Sequence, residues 1–384
     1  MTDADVLIIG GGAVGASTAF HLGRLGCKGV TLVERGSLAS GASGKGSAIV
    51  NVGIWHASRP LVKMLIESIE VYNNFSDKIG GGSGFVQSGW IGLSGSDRES
   101  QIRKISEIER SLGADTRVLS VEEIKQLVPG LFTDDLKVAV YESRSGYADT
   151  LETTTSLADQ AEKLGARILT ETEATKIQIE NGRAIGVETN KGPINAHKIL
   201  VAANVWAPKL LREIDVEVPI TPVRKQVCTF KLPKRYGRPQ RAIDDFVGDL
   251  YFRPEGDYTL AGEIETPGTP TDLQNFPAGF DNDIALRLAR KLRHRYPAMS
   301  SAINRGGYSG PYDVSPDGHP ILDAAPGVKD LYMALGFSGH GFRFSPVTGR
   351  LMAEFIMNGR TEGIDIREFR LSRFDEGKPI QPLA

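Results

Sequence analysis

The chain of 384 residues has only two cysteines, Cys27 and Cys228, and neither belongs to a Cys-x-x-Cys pair or a histidine-rich stretch. This scarcity excludes a disulfide framework and argues against a zinc site. We therefore expect both cysteines to be free, buried thiols, as is typical of proteins in a reducing compartment.

Long hydrophobic runs are absent as well. The sequence has no stretch of about 18 consecutive apolar residues, so a membrane-spanning helix is not expected. The N-terminus shows no basic segment followed by an apolar stretch and a cleavage site. The cytoplasm is therefore the expected location.

An excess of charge of one sign is also missing, because 45 Lys and Arg residues balance 47 Asp and Glu residues to a net charge of −2. No global field would attract nucleic acid or anionic lipid. We interpret the basic run from Arg287 to Arg295 as a solvated helix face. No internal repeat occurs, which excludes solenoid folds, and the length predicts about two domains.

The first 34 residues have the pattern strand, helix, strand. Asp5–Ile9 and Val30–Val33 are short apolar runs typical of buried strands, and Ala13–Leu25 carries small and apolar residues at helical spacing. Strands of antiparallel character follow in the middle of the chain, and helical patterns return near its end. This order predicts two interleaved domains.

A glycine-rich turn joins the first strand to the first helix. The run from Gly10 to Gly15 (Gly-Gly-Gly-Ala-Val-Gly) satisfies G-x-G-x-x-G, and Glu34 ends the second strand 19 residues after Gly15. Gly10 permits the tight turn, Gly12 lets the backbone approach a pyrophosphate, and Gly15 lets the helix pack on the strand. The helix N-terminus attracts phosphate, and Glu34 can accept hydrogen bonds from a ribose diol. The sequence predicts a dinucleotide site without distinguishing FAD from NAD.

Four further segments lie along nearly the whole chain. They are Glu34–Gly46, Ser145–Asp149, Ile199–Pro208 and Ser315–Phe342, the last containing Ser-Pro-Asp-Gly-His-Pro and Gly-Phe-Ser-Gly-His-Gly-Phe. Together they resemble the D-amino-acid-oxidase-type family of FAD-dependent oxidoreductases, which includes glycine oxidase, sarcosine oxidases and dimethylglycine dehydrogenases. The last segment is the most specific. The resemblance implies FAD as the cofactor.

The resemblance also implies an α/β fold with two domains. One is an FAD-binding Rossmann-type, glutathione-reductase-like domain, expected over residues 1–82, 141–220 and 308–384. The other is an interleaved α+β substrate domain built on a mixed or antiparallel sheet, expected over residues 83–140 and 221–307.

The glycine turn and the resemblance together give a set of expected cofactor-binding residues. They are Gly10, Gly12, Ala13, Val14, Gly15, Glu34, Arg35, Ser43, Lys45, Gly46, Ser47, Ala48, Ala174, Ala203, Trp206, Gly310, Gly339, His340, Gly341 and Phe342. The resemblance implies that the segment from Ser43 to Ala48 passes the pyrophosphate and the flavin edge, and that Ala174 holds the adenine through its backbone. The family turn Ala-Gly is replaced by Ala203-Asn204, and asparagine tolerates a left-handed backbone.

The Gly339–Arg343 segment matches the family loop under the pyrimidine end of the flavin. We expect the next helix to begin with Ser345 as its N-cap and Pro346 as its first residue. The free amides of that helix would stabilise the negative charge of a reduced flavin. His340 is expected to position the cofactor, with a purely structural histidine as the alternative.

The catalytic site is expected to contain Arg343, Tyr251 and Arg253. Arg343 falls where sarcosine oxidases have a basic residue that helps to bind the substrate carboxylate, and a guanidinium suits that role. An ordinary salt bridge remains the alternative for Arg343, and core packing the alternative for Tyr251. No metal site is expected.

Departures from the family pattern narrow these expectations. The Gly-Leu-Arg-Pro arginine of glycine and D-amino acid oxidases is absent from Gly310–Asp313. Gly310 also replaces the cysteine that tethers flavin in monomeric sarcosine oxidases. His56 lies too late to match the histidine of the dimethylglycine enzymes. We therefore expect non-covalent FAD and a pattern closer to sarcosine oxidase β subunits and proline or N-methyl amino acid dehydrogenases.

The electron acceptor is left open among oxygen, a quinone and a partner flavoprotein. The strand Tyr258–Gly262 lacks the lysine that assists oxygen in monomeric sarcosine oxidases, which favours a dehydrogenase. Lys45 and Lys225 could substitute for it. The quaternary structure is also open between a homo-oligomer and a subunit of a heteromer.

The expected reaction is oxidation of the C–N bond of a small amino acid or N-alkyl amino acid, such as sarcosine, proline, glycine or a D-amino acid. Hydride passes from the substrate α-carbon to the flavin, and the imine product hydrolyses. One alternative is a flavin-dependent 2-hydroxy acid dehydrogenase, with His56, His319 or His340 as its base. The other is the FAD-binding β-type subunit of a heteromeric amino acid dehydrogenase.

Overall fold

The computed structural model describes residues 3–53, 58–232, 239–264 and 268–381. In these ranges the helices are α1 (Ala13–Arg24), α2 (Arg59–Asn73), α3 (Phe75–Lys78), α4 (Glu99–Ser111), α5 (Val121–Leu127), α6 (Thr150–Lys163), α7 (Ala207–Arg212), α8 (Asn282–Arg295) and α9 (Gly341–Asn358).

The strands of the same ranges are β1 (Ala4–Ile9), β2 (Val30–Val33), β3 (Ile49–Val50), β4 (Trp90–Ser94), β5 (Thr116–Leu119), β6 (Val138–Glu142), β7 (Gly146–Tyr147), β8 (Arg167–Leu169), β9 (Ala174–Glu180), β10 (Arg183–Thr189), β11 (Ile194–Val201), β12 (Thr221–Lys231), β13 (Ala242–Asp245), β14 (Leu250–Glu255), β15 (Tyr258–Gly262), β16 (Thr269–Pro270), β17 (Ile303–Val314), β18 (Ile321–Ala324) and β19 (Leu331–Leu335).

The first sheet has the order β18-β19-β11-β1-β2-β8, with the β9–β10 hairpin attached to β11. Strands β19, β11, β1, β2 and β8 run parallel, and their residues are mostly buried because helices cover the sheet. Helix α1 packs against α9 and α6. A side chain at Gly349 of α9 would collide with Ser17 of α1, so the glycine lets these two helices approach closely.

The second sheet has the order β16-β12-β15-β14-β13-β4-β6-β5, and β17 pairs with β12 along most of its length. One face packs on α8 through an apolar cluster that includes Phe230, Phe252 and Leu288. The register places Tyr251, Gly262, Val227 and Tyr308 in one row across β14, β15, β12 and β17. Because side chains alternate between faces, this row lies on the opposite side, away from α8.

The predicted fold class is confirmed, with a mostly parallel sheet covered by helices and a separate, largely antiparallel sheet. The domain boundaries remain a prediction. Strand β6 extends across the expected limit at 140/141, and β17 extends across the limit at 307/308. No helix in the described residues is long and apolar enough to cross a membrane.

Helix α9 begins earlier than the sequence predicts. It starts at Gly341, with His340 as the N-cap, so Pro346 lies inside the helix and Ser345 is not its cap. Proline cannot donate to the carbonyl of Phe342, four residues back. That carbonyl instead accepts hydrogen bonds from Tyr72 Oη at 2.9 Å and Ser345 Oγ at 2.8 Å. These two hydroxyls let the helix continue through the proline.

Candidate active site

The glycine turn between β1 and α1 is closed to larger residues. Gly10 has a φ of +118°, and a Cβ there would overlap the carbonyl oxygen of Ala202. A Cβ at Gly15 would overlap the carbonyl oxygen of Gly10. Ala13, the first residue of α1, is buried, and its amide donates to Ser43 Oγ at 3.0 Å. The turn therefore offers backbone N–H groups at a helix N-terminus, the arrangement that binds phosphate.

A cavity of about 690 Å³ runs from this turn to the start of α9. The predicted cofactor residues on its wall are Gly10, Gly12, Val14, Glu34, Arg35, Ser43, Gly46, Ala174, Ala203, Trp206, Gly339, Gly341 and Phe342. The remaining predicted residues are close in sequence to these wall residues: Ala13, Gly15, Lys45, Ser47, Ala48 and His340. Gly310 is the exception and lies in β17. The fold thus brings residues from both halves of the chain around one elongated cavity.

The end of the cavity beside β2 is built from charged and aromatic side chains. The Glu34 carboxylate accepts hydrogen bonds from the amides of Gly11 at 2.7 Å and Gly36 at 2.8 Å. Each carboxylate oxygen keeps a further lone pair for a ribose hydroxyl. The Arg35 guanidinium lies 3.7 Å from the centre of the Trp206 ring. Asn204 has a φ of +51°, so the left-handed turn expected there is confirmed.

The Ser43–Ala48 segment leads from the glycine turn to the second sheet. Lys45 extends its ammonium to 5.6 Å from the centre of the Tyr308 ring. A Cβ at Gly310 would lie 2.5 Å from Lys45 Cβ, so only glycine fits where this segment contacts β17. Tyr308 Oη donates to the carbonyl of Gly46 at 3.3 Å, and Ala48 has a φ of +54°. The second sheet therefore fixes the path of this segment.

Arg253 lies behind the same segment. Its buried guanidinium donates to the carbonyls of Ser47 and Pro254, pairs with Glu255, and lies 4.8 Å from the centre of the Tyr147 ring. These contacts favour a positioning role for Arg253 over direct contact with a substrate.

The opposite end of the cavity is formed by the loop before α9. Gly339 has a φ of +91°, and a Cβ there would overlap the ring of Tyr312. Gly341 and Phe342 begin α9 beside the cavity, so the free amides of the first helical turn lie at this end. Burial, with the charges of Arg343 and His319, holds the pKa of His340 well below its usual range. His340 is therefore neutral at pH 7 and carries no charge into the site.

Arg343 lies among buried polar groups. Its Nη1 donates to Asn51 Oδ1 at 2.5 Å. Burial lowers its pKa to about 10, while the nearby carboxyls of Asp244 and Glu142 act in the opposite direction. Burial likewise raises the pKa of Asp244 to about 7. Arg343 and the two acids form a group of paired charges, as expected for charged side chains that are removed from water.

Tyr251 lies on the face of the second sheet that points away from α8. Its ring covers Gly262, where a Cβ would overlap the tyrosine hydroxyl. Burial is the main reason that its pKa is well above the usual value, with Tyr312, Tyr308 and Asp244 adding to the effect. Tyr251 is therefore a neutral hydrogen-bonding group near the acids that surround Arg343.

Sequence reasoning missed Asn51, Glu142, Asp244 and Trp90. Glu142 ends the otherwise apolar strand β6, and Asp244 is the first of two acids that end the short strand β13. A polar residue in a buried strand was the available signal. Of the histidines predicted as alternative bases, His56 lies outside the described residues. His319 has a pKa lowered chiefly by burial.

The fold and the cavity define an α/β protein whose β1–α1 turn fits the phosphates of a dinucleotide. Residues 5–355 match the family described as FAD dependent oxidoreductase, so the chain belongs to this family. The described residues fit such a cofactor, because the glycine turn leaves no room for a Cβ and Glu34 can still accept hydrogen bonds. Within the described residues, no group of three His, Cys, Asp or Glu side chains could hold a metal ion.

Individual proteins share this similarity over almost the whole chain. Human mitochondrial sarcosine dehydrogenase is 26% identical over 98% of this chain and 43% of its own length. Human mitochondrial dimethylglycine dehydrogenase is 27% identical over 98% of this chain and 45% of its own length. The chain thus spans less than half the length of these relatives. The crystal structure of L-proline dehydrogenase from P. horikoshii is similar with a TM-score of 0.90 and 28% identity, covering 98% of this chain and 99% of that one.

Proposed function

We propose that this chain binds FAD non-covalently and oxidises the C–N bond of a small amino acid, with secondary and N-methyl amino acids as the preferred class. The position of Arg343 carries the proposal, because it lies in the first turn of α9, next to residues that border the end of the cofactor cavity. The names of the similar proteins, which act on sarcosine, dimethylglycine and L-proline, support the same class.

The position of each residue gives it a separate role in this reaction. Arg343 would bind the substrate carboxylate through its planar guanidinium, oriented by Asn51. Tyr251 and the neighbouring face of the second sheet would enclose the substrate and exclude water. Bound flavin supplies the hydride acceptor, and the free amides at the start of α9 would stabilise the negative charge of its reduced form. The imine product would then hydrolyse in water.

Non-covalent attachment is supported by the positions of the two thiols. Cys27 is buried in the apolar core beside the first sheet, and Cys228 is buried on the α8 side of the second sheet. We expect acid precipitation of the yellow protein to leave all flavin in the supernatant. The absorbance of the pellet, redissolved in denaturant, measures any retained flavin. A yellow pellet would contradict non-covalent binding.

The function is tested by anaerobic bleaching of the flavin. We expect N-methyl and cyclic secondary amino acids to reduce the absorbance near 450 nm at low millimolar concentration, on the order of typical KM values. The 2-hydroxy acids with the same carbon skeletons should leave the spectrum unchanged. The panel should also contain D- and L-primary amino acids, so that stereochemistry is read from the same measurement.

The outcomes separate the proposal from its alternatives. Bleaching by hydroxy acids alone would replace it with a 2-hydroxy acid dehydrogenase that uses a histidine as base. A flavin that no member of the panel reduces, with or without artificial dyes, would favour a subunit that requires partner chains. Reoxidation of the bleached enzyme in air, compared with a quinone analogue, identifies the electron acceptor.

A further inference from the structure

The acid Asp244 occupies an unusual place in the second sheet. It lies in β13, directly opposite Tyr251 of β14 on one side and Gly92 of β4 on the other. Trp90 and Glu142 are opposite one another on β4 and β6. Because Trp90 and Gly92 are two residues apart, all five residues share one face of the sheet. This is the face that points away from α8.

Two buried polar atoms on this face lack partners. Asp244 Oδ1 and Trp90 Nε1 are both buried, and neither forms a hydrogen bond with normal geometry in the described chain. A hydrogen bond from the Trp90 indole is nevertheless among the causes that lower the pKa of Asp244, so the two side chains face one another. A carboxylate has about four acceptor sites and the indole can fill only one of them, so Asp244 keeps acceptor capacity for a ligand.

The neighbouring acid Glu142 differs in that its carboxylate is already occupied. It accepts hydrogen bonds from the amides of Val52 and Gly53, both at 2.8 Å, and from the hydroxyl of Ser145. Burial raises the pKa of Glu142 above its usual value, although these hydrogen bonds and Arg343 act in the opposite direction. Glu142 therefore holds the segment that follows β3, and Asp244 is the acid that retains an unused acceptor near Arg343.

We infer that Asp244 binds the amino group of the substrate while Arg343 binds its carboxylate. The inference rests on the proposed function, and it defines the substrate as a zwitterionic α-amino acid held between opposite charges. A carboxylate attracts an ammonium group far more strongly than a hydroxyl group. Asp244 is then the residue that makes the site prefer amino acids over the corresponding 2-hydroxy acids.

The inference predicts a pH dependence with a definite sign. The groups facing Asp244 are Arg343 from α9, Glu142 from β6, Trp90 from β4 and Tyr251 from β14. Burial, with Glu142, outweighs Arg343 and Trp90 and raises the pKa of Asp244 to about 7. The carboxyl becomes charged as pH rises through this value. The KM for an amino acid should therefore fall between about pH 6 and pH 8, as the attraction for the ammonium group develops.

The test compares Asp244→Asn with the wild type and with Glu109→Gln. Glu109 is a matched control, because it is a buried acid with one oxygen lacking a partner in the described chain and a pKa raised to about 9. For Asp244→Asn we expect the KM of the best amino acid in anaerobic flavin reduction to rise roughly 10- to 100-fold. The Kd for acetate, measured by perturbation of the flavin spectrum, should stay within about twofold. Glu109→Gln should change neither value.

Each outcome bears on the inference. An unchanged KM in Asp244→Asn, or a KM that keeps the pH dependence of the wild type, would overturn the role of Asp244 and leave the proposed function intact. If Asp244→Asn weakened the binding of amino acid and acetate by the same factor, or lost its flavin, Asp244 would have a structural role. That result would also overturn the inference. If no amino acid reduces the wild-type flavin, both the inference and the proposed function fail.

Discussion

Replacing Arg343 with alanine is expected to raise the KM for the amino acid substrate roughly 150-fold, because removing one partner of a buried charge pair costs about 3 kcal/mol. The guanidinium is the cation placed beside Asp244 and Glu142 and bonded to Asn51. Its removal also takes away the charge that lowers the pKa of Asp244, so Asp244 should be protonated at neutral pH. Steady-state kinetics at several pH values measures both effects.

Two variants control for this result. Arg343→Lys keeps the positive charge but loses the planar fork, so we expect an intermediate KM. Arg350→Ala removes another arginine of α9, one that pairs with Glu67 and Glu354. It should lower stability and leave the KM unchanged. A normal KM in Arg343→Ala, with full flavin content, would remove Arg343 from the substrate site.

The substitution Gly10→Ala is expected to abolish flavin binding. The new methyl group would overlap the carbonyl of Ala202 in the loop after β11, and φ at this position is +118°. Strain of this kind costs about 3 kcal/mol when a left-handed backbone and a steric overlap combine. The turn would have to move away from the phosphate-binding position. We expect a colourless protein with a lowered Tm, as measured by the ratio of absorbance at about 450 and 280 nm and by thermal unfolding.

Gly26→Ala is the matched control for this substitution. Gly26 follows α1 with a φ of +86°, but a Cβ there meets no atom within 4 Å. The left-handed backbone alone costs about 1–2 kcal/mol. We expect a small loss of stability and normal flavin content. If Gly10→Ala purified as yellow as Gly26→Ala, the cofactor would not depend on the turn between β1 and α1.

Local elements were predicted well because their signals lie close together in the chain. The first strand, the glycine turn and the first helix agree with β1 and α1 to within one residue at each end. Glu34 directly follows β2, as the spacing predicted. The start of α9 was predicted wrongly because Tyr72, which satisfies the carbonyl freed by Pro346, lies 270 residues from Phe342 in the chain. A proline is expected in the first turn of a helix because it lacks an N–H donor. It can lie further inside the helix when another group bonds the carbonyl that is left free.

The sequence by itself predicted the dinucleotide site, because the glycine turn, the helix that follows it and Glu34 all lie within the first 34 residues. It also determined the family, through motifs spread along the chain. Only the tertiary structure decided which groups surround Arg343. Asn51 is 292 residues away from it, and Asp244 and Glu142 come from strands whose pairing is fixed by register. Register depends on how the whole sheet packs, so no local pattern reveals which buried acids will face one another.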